Sequence, residues 1–412
     1  MIAVQFRKSI PRYLTLRTIG CRWPALYTGA AAMISLRELP EPKLPSPEWL
    51  RLRPILSGIC GSDLATICAK GSAYLSPLTS TPFVIGHEVV GRVTQVGASA
   101  DGLVVGDRVV LQPALGCRVR GIAPPCAACA AGHLALCRNV TRGNISAGIQ
   151  TGYCRDTGGA WSESLVAHAS QLYKVPDALS DEIAVLVEPF ACALHGVLRA
   201  GSLKAQHSAL TTVLVVGCGS IGLLTIAALR ALSLPARIVA LAKYPHQREH
   251  AQALGADKVL PYRGRIRERY ADIAAALDAE LHHPEIGKPT VIGGADVTFD
   301  CVASSTSIDD CLRFTAAGGE MLLVGMPGIP SGVDWTTIWF KELTVHAAYA
   351  YGQEQVTGAR STFELSLELL CEHGARLRPL VGEPFELRDY RRAVDTALHA
   401  GASRSVKTVF RV

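Results

Sequence analysis

The sequence predicts a two-part α/β protein, and three features of its 412 residues carry that prediction. From about Ile34 to Val175, short apolar runs are separated by Gly and Pro turns, the signature of a β-rich region. After Pro176, strands and helices alternate, which indicates a doubly wound parallel sheet covered by helices. After about Ala347 the pattern returns to mixed elements. The expected division is residues 1–185, then 186–345, then a return segment 346–412. The length itself exceeds what one hydrophobic core commonly supports.

In the first part, strands are expected at Val84–Ile85, Val89–Val96 and Arg108–Leu111, the last after the Gly106-Asp107 turn. Leu179 to Ala200 carries helical spacing, and Thr212 to Gly222 is an apolar strand running into a glycine turn. Strand Ile238–Leu241, helix His246–Leu254, strand Ala295–Cys301, helix Ile308–Ala316 and strand Glu320–Val324 follow, and a helix is expected at Gly358–Glu372. The polar stretch Arg263–Lys288 reads as a surface insertion. There is no internal repeat and no low-complexity linker.

Composition narrows the class. Apolar residues make up 49% and charged residues 18%, which excludes a disordered chain. No uncharged apolar run reaches the roughly 18 residues of a membrane span. The first 35 residues lack a continuous apolar stretch, which argues against a secretory leader and for a cytoplasmic protein. Thirteen cysteines, several crowded together, then favour metal ligands over disulfides. The formal charge of +6 is modest, and with Lys and Arg scattered along the chain it suits solubility or an anionic ligand better than nucleic acid.

The glycine turn has a specific chemistry. Gly217-Cys-Gly219-Ser220-Ile221-Gly222 is G-x-G-x-x-G after a strand and before a helix, the dinucleotide-binding pattern of a Rossmann unit. Gly217 permits the tight turn, Gly219 lets backbone approach a pyrophosphate, and Gly222 lets helix and strand pack closely. The helix N-terminus offers its free N–H groups to the phosphates. An acid at the end of the second strand would hold the ribose hydroxyls of NAD, but that position is Ala242, and no Asp or Glu occurs between Gly222 and Arg248. Lys243 and Arg248 instead favour the 2′-phosphate of NADP. The alternative is that both cations are solvated and NAD binds without the acid.

Cys117, Cys126, Cys129 and Cys137 are spaced C-x8-C-x2-C-x7-C, enough to close a tetrahedral zinc shell of structural type over the loop 117–137; the alternative is a set of free thiols. Three further pieces carry chemistry: Gly58-Ile-Cys60-Gly-Ser62-Asp63, Gly86-His87-Glu88, and Val187-Glu188-Pro189. Taken singly, Cys60 could be a buried thiol, His87 a core histidine and Glu188 an acid at a helix start.

In their order and spacing these pieces resemble the zinc-dependent medium-chain dehydrogenases and reductases of the alcohol dehydrogenase superfamily. The resemblance extends over Leu39–Pro47, Gly106-Asp-Arg-Val109, Leu254-Gly-Ala-Asp257 and Gly318-Gly319, nearly the whole chain. It implies a GroES-like β-rich catalytic domain plus a Rossmann domain, and a homodimer or homotetramer, with Leu343-Thr-Val-His-Ala near the dimer edge. It also implies a catalytic zinc held by Cys60, His87 and Glu188. The carboxylate at Glu188, where the alcohol branch has cysteine, is similar to the polyol and threonine dehydrogenase branch; Cys192 is the alternative ligand. Glu88 is implied as an exchangeable or neighbouring acid, Asp63 as the group orienting His87, and Ser62 as a proton-relay hydroxyl. Such an enzyme moves hydride between a nicotinamide and a small alcohol or carbonyl compound.

The chain also departs from the family. Ala65 stands where some relatives have a relay histidine, and Ala123 stands where the structural-zinc loop has its first cysteine, so Cys117 must reach in from a longer loop. The stretch Cys21–Ala32 is extra. Trp161 and Tyr351 are candidates either for the substrate cleft or for the core. Two rivals remain at this level: a zinc-free enone or quinone reductase on the same fold, and a non-catalytic protein that binds NADP and zinc.

Overall fold

The computed structural model describes residues 1–100, 102–203, 210–354 and 358–412. It divides into two compact units, Met1–Glu188 with Tyr351–Val412, and Pro189–Ala350.

The first unit is built on two antiparallel sheets. β1 (Ile2–Phe6) is flanked by β2 (Ile34–Glu38) and, further along the chain, by Phe83–Val84. Between β1 and β2 lies α1 (Ile10–Ile19), started by Pro11 and followed by a single 3-10 turn at Pro24–Tyr27. β1 and β2 pair directly from Phe6 to Ile34, so the whole stretch between them, Cys21–Ala32 included, is one excursion from this sheet. The segment inserts Leu16 and Tyr27 into the same core as Ile67, Cys68 and Ala69.

The larger sheet centres on β3 (Trp49–Gly58), which pairs with β4 (Val89–Val96); β5 (Arg108–Leu111) and the short strand Leu172–Lys174 continue it outward. On its other side β3 takes Leu165–His168 along its first half and Val409–Arg411 of the return segment along its second. The return segment therefore completes this sheet rather than starting a new fold. A helix, Thr362–His373, opens with a capping box in which Ser361 and Glu364 each accept a backbone N–H, which is why it starts later than the sequence spacing suggests. Trp161 and Tyr351 prove to be core residues. Trp161 is fully buried, donates from its indole to the Gly58 carbonyl and packs edge-on to Phe410, while Tyr351 packs edge-on to Phe363.

The second unit is a six-stranded parallel sheet. β6 (Thr211–Val216), β7 (Ala236–Ala242), β8 (Lys258–Pro261), β9 (Ala295–Asp300), β10 (Thr315–Leu323) and β11 (Thr344–Ala347) lie in the order β8-β7-β6-β9-β10-β11. The order reverses at β6, which makes the carboxyl end of that strand a topological switch point. Val213 to Val216 are fully buried, as strands covered on both faces require. The segment Arg263–Lys288 is not a mere surface insertion. It contains a helix, Ile266–Ala276, whose Tyr270, Ile273, Ala274 and Leu277 recur at i, i+3, i+4 and i+7 and are buried against the sheet. Abundant polar residues between them mask that period in the sequence. Asp310, fully buried, accepts from Tyr262, Tyr270, Arg269 and Lys288 and ties the segment down.

Candidate active site and metal centres

The short helix Gly61–Ile67 starts directly after β3, with Cys60 as its N-cap residue. The backbone N–H of Cys60 donates to Asp63 Oδ2 at 2.9 Å, which fixes the cysteine at the end of the strand. Asp63 is fully buried, and its other oxygen faces His87 Nδ1 at 3.4 Å. With Nδ1 turned to the carboxylate, Nε2 is the ring atom left to face the Cys60 side chain. Burial works against a charge on His87, but Asp63 and Cys60 outweigh it and hold the ring well above its ordinary pKa. Gly86 makes this placement possible: its φ is +97°, and a Cβ there would sit 2.2 Å from the Trp161 ring.

Glu88 follows His87 and is buried with Lys407 as an ion pair, their side chains 1% and 2% exposed. Gly58 leaves the space, since a Cβ would lie 2.0 Å from Glu88 Oε2. Lys407 also donates to the Ile59 carbonyl at 3.3 Å. Burial lowers the affinity of Lys407 for its proton, yet Glu88, Cys60 and Glu188 together raise its pKa above the ordinary lysine value. Glu188 is buried at the start of the helix Val187–Arg199. Cys192 lies one helical turn beyond it.

Lys407 and Tyr153 are the two neighbours that sequence reasoning missed. Tyr153 bonds Thr66 at 3.0 Å, and its ring lies 6.1 Å from that of His87. No motif contains either residue, and Lys407 stands 319 positions from its partner. Ser62 Oγ is buried beside the Tyr153 hydroxyl and, among the described residues, makes no well-formed hydrogen bond. A hydroxyl left in that state beside the Cys60–His87 pair suits a polar group of a ligand.

The four cysteines of the loop make a tighter arrangement. One sulfur from each of Cys117, Cys126, Cys129 and Cys137 lies within 4.8 Å of the others. Cys117 and Cys137 Sγ are 3.6 Å apart, close to the roughly 3.8 Å expected across a tetrahedral zinc–thiolate centre. Cys117 thus reaches the set from its displaced position. Five N–H groups point at these sulfurs: the amides of Cys117, Cys126, Arg138 and Asn139, and the Asn139 side chain at 3.2 Å from Cys117 Sγ. Hydrogen bonds from backbone hold Cys126 down at about 6, whereas burial pushes Cys137 up to about 11. Beneath them Arg120 is fully buried and donates to the carbonyls of Leu115, Arg142, Ile145, Ser146 and Gly148. Its fork pins the lengthened loop that brings Cys117 in, and its charge faces Cys117 and Cys137. Cys60, His87 and Glu188 do not gather in this way: among the described residues the four cysteines are the one group of three or more such side chains close enough to share a metal ion, and of the other three Cys60 faces His87 while Glu188 stands apart from that pair.

The three glycines of the turn differ in what surrounds them. Gly217 has φ +90°, a Cβ on Gly222 would lie 1.8 Å from the Gly217 carbonyl oxygen, and a Cβ on Gly219 would meet nothing within 4 Å. The first two glycines are required by the fold itself; the space at Gly219 is open for a ligand. The helix after it runs from Ser220 to Ala231, with Ile221 and Gly222 in its first turn. At the end of β7, Ala242 is fully buried, Lys243 is exposed with Nζ 5.4 Å over the Tyr244 ring, and Arg248 is half-buried in the next helix.

The structure thus pairs a parallel sheet carrying a glycine turn of dinucleotide-binding type with a β-rich unit that holds one gathered set of four cysteines. Two family models match, the alcohol dehydrogenase GroES-like domain over residues 46–177 and the zinc-binding dehydrogenase over residues 220–374. The chain belongs to the zinc-binding medium-chain dehydrogenase/reductase family, the alcohol dehydrogenase superfamily, and is an oxidoreductase of that family. Among its relatives are an L-idonate 5-dehydrogenase of Vitis vinifera, 29% identical over 89% of each chain, and a sorbitol dehydrogenase of Arabidopsis thaliana, 29% identical over 89% of this chain and 90% of the relative. The solved structure of 2R,3R-butanediol dehydrogenase from Bacillus subtilis matches with TM-score 0.67 and 26% identity, covering 92% of this chain and 96% of that one. A zinc-binding dehydrogenase from Sinorhizobium meliloti, determined with NADP bound, matches with TM-score 0.71 and 23% identity over 100% of both chains, a likeness of fold.

Proposed function

We propose that this dehydrogenase exchanges hydride between NADP(H), in preference to NAD(H), and a secondary alcohol or polyol or the corresponding ketone, with a catalytic zinc at Cys60, His87 and Glu188. The observation that carries the reading is the buried pair in which Asp63 backs His87 and His87 faces Cys60, with the Glu88–Lys407 ion pair beside it. A sulfur, an imidazole and a carboxylate form a donor set suited to zinc with one position left open. Zinc there would polarise the substrate oxygen, and the nicotinamide would supply or accept hydride.

The chain's own residues do the rest. Asp63 fixes the His87 tautomer and makes its outer nitrogen a better donor. Lys407 neutralises Glu88 and keeps that carboxylate from competing as a free anion. Ser62 Oγ, buried beside Tyr153, would take the proton of the substrate hydroxyl and pass on its own. Because Ala65 offers no imidazole, the onward route is water or the cofactor ribose. Glu188 and the polyol-oxidising relatives support a substrate with neighbouring hydroxyl groups. The four cysteines would hold a second zinc that shapes the loop and takes no part in chemistry.

Ala242, Lys243 and Arg248 support NADP: a small neutral residue with cations after it leaves room and charge for a 2′-phosphate. β11, whose outer edge is unpaired among the described residues, and the exposed Trp335, Trp339 and Phe340 before it support a homodimer. The experiment is a metal count on the purified chain combined with NADPH- and NADH-linked turnover across polyols and ketones. Two zincs and NADP-linked oxidation of a polyol are expected. One zinc with enone reduction would replace this reading by a zinc-free reductase, and no turnover of any substrate would replace it by a binding protein.

A further inference from the structure

Although cations are scattered along the chain as a whole, residues 1–37 contain six Lys or Arg and no Asp or Glu, so that this one segment equals the formal charge of the entire protein, +6. Arg7, Lys8, Arg12, Arg17 and Arg22 belong to the insertion between β1 and β2 and are all exposed. Among the described residues, none of the five has a carboxylate within salt-bridge distance. Those with hydrogen bonds spend them on neutral acceptors: Gln5, Ser76, the Ala32 carbonyl, and Tyr13 with the Ala69 carbonyl.

The same segment exposes large apolar side chains. Along α1, Leu16 points into the core, and on the opposite side Ile10 and Leu14 are 66% and 54% exposed, one turn apart, with Arg17 following on that side. A surface helix normally turns polar residues outward there. Trp23 is 57% exposed just beyond the helix, and Tyr74 is 82% exposed in the segment that Lys8 reaches through Ser76.

We propose that this insertion is a docking surface for an anionic lipid bilayer, on which α1 lies in the plane of the headgroups. Unpaired cations supply attraction to acidic headgroups, Ile10 and Leu14 supply the apolar stripe that enters the acyl boundary, and Trp23 and Tyr74 are side chains that settle at such an interface. A second copy of the chain does not fit: placing this patch on itself would set five cations against five. Nucleic acid would use the charge but leave Ile10 and Leu14 without a role. The oxidoreductase site needs none of these residues, so the docking surface stands or falls separately from the proposed reaction.

The test sediments the full chain with vesicles of phosphatidylcholine alone and of phosphatidylcholine with phosphatidylserine, at low and high salt. The expected result is at least about tenfold more binding to the acidic vesicles, largely lost at high salt. Lys8→Glu with Arg22→Glu should abolish it. Leu14→Ser with Trp23→Ser should weaken it several-fold while circular dichroism and NADPH-linked turnover stay unchanged, since both side chains are more than half exposed. Equal binding to neutral vesicles, no binding at all, or undiminished binding by either double variant overturns the proposal. Tighter binding to polyuridylate, indifferent to Leu14→Ser and Trp23→Ser, overturns it in favour of nucleic acid.

Discussion

The two cysteine-bearing centres of the first unit are built on opposite plans. In the loop 117–137, four sulfurs gather within 4.8 Å of one another, five N–H groups point at them, and Arg120 fixes the surrounding carbonyls. Around Cys60, neighbouring charges are buried as pairs, Asp63 with His87 and Glu88 with Lys407, and Ser62 Oγ lies beside Tyr153 without a well-formed hydrogen bond among the described residues. A shell closed on all sides contributes folding energy; one with an open place and tuned neighbours can take a substrate. The difference shows that the function of a cysteine can be read from what its polar neighbours lack.

Substitutions should separate the two plans, beginning with the largest effect. Cys60→Ala or His87→Ala should lower turnover by about a thousandfold or more, as expected when the group that polarises the reacting oxygen is lost, while cofactor affinity stays near wild type. Steady-state turnover and cofactor fluorescence titration check both halves. Cys129→Ser should do the reverse and cost several kcal/mol of stability, roughly 4 or more, with the remaining folded protein still turning over. Chemical denaturation with a metal count measures this, and a fully stable variant of unchanged metal content would erase the distinction.

Lys407→Met should destabilise by about 3–5 kcal/mol, because it strands a buried carboxylate, and should also lower turnover by about 10–100-fold. The sign with pH follows from the raised pKa of Lys407. The pair's contribution is fully present below the ordinary lysine value of about 10.4 and is lost as pH rises through the higher folded-state value. Wild type should therefore lose stability in alkali above about pH 10.4 more steeply than Lys407→Met, as pH-resolved denaturation would show. The smallest of these effects is expected at Arg120. Arg120→Met should cost about 3 kcal/mol with the cysteine site filled, and clearly less in a Cys117→Ser, Cys137→Ser background, where neither of these thiols remains for its charge to face. Equal costs in both backgrounds would make Arg120 a loop brace and nothing more.

Much of this was legible in the sequence wherever the needed residues are neighbours in the chain. Gly217 and Gly222 do what their order implies, the tight turn and the close approach of helix to strand, because their constraints are steric and local. Cys126 and Cys129 announce themselves by spacing. Cys117 was harder: its place depends on a lengthened loop whose path is set by Arg120, and no spacing rule encodes a guanidinium that binds five carbonyls. Lys407 was invisible for a related reason, since a lysine near the end of the chain carries no sign that it will be buried against Glu88. The helix in 266–276 was masked by its polar residues, and Trp161 and Tyr351 entered the core because their rings had partners the sequence could not place. Local chemistry is written in order and spacing; the choice between core and site is made by distant contacts.

The central claim is that Cys60 and Cys129 serve two different metal ions. Zinc per chain, counted in the wild type, in Cys60→Ala and in Cys129→Ser, tests it most directly. The account predicts two equivalents in the wild type and one in each variant, with turnover surviving only where Cys60 is intact. A wild type holding a single zinc that Cys60→Ala leaves in place would contradict it.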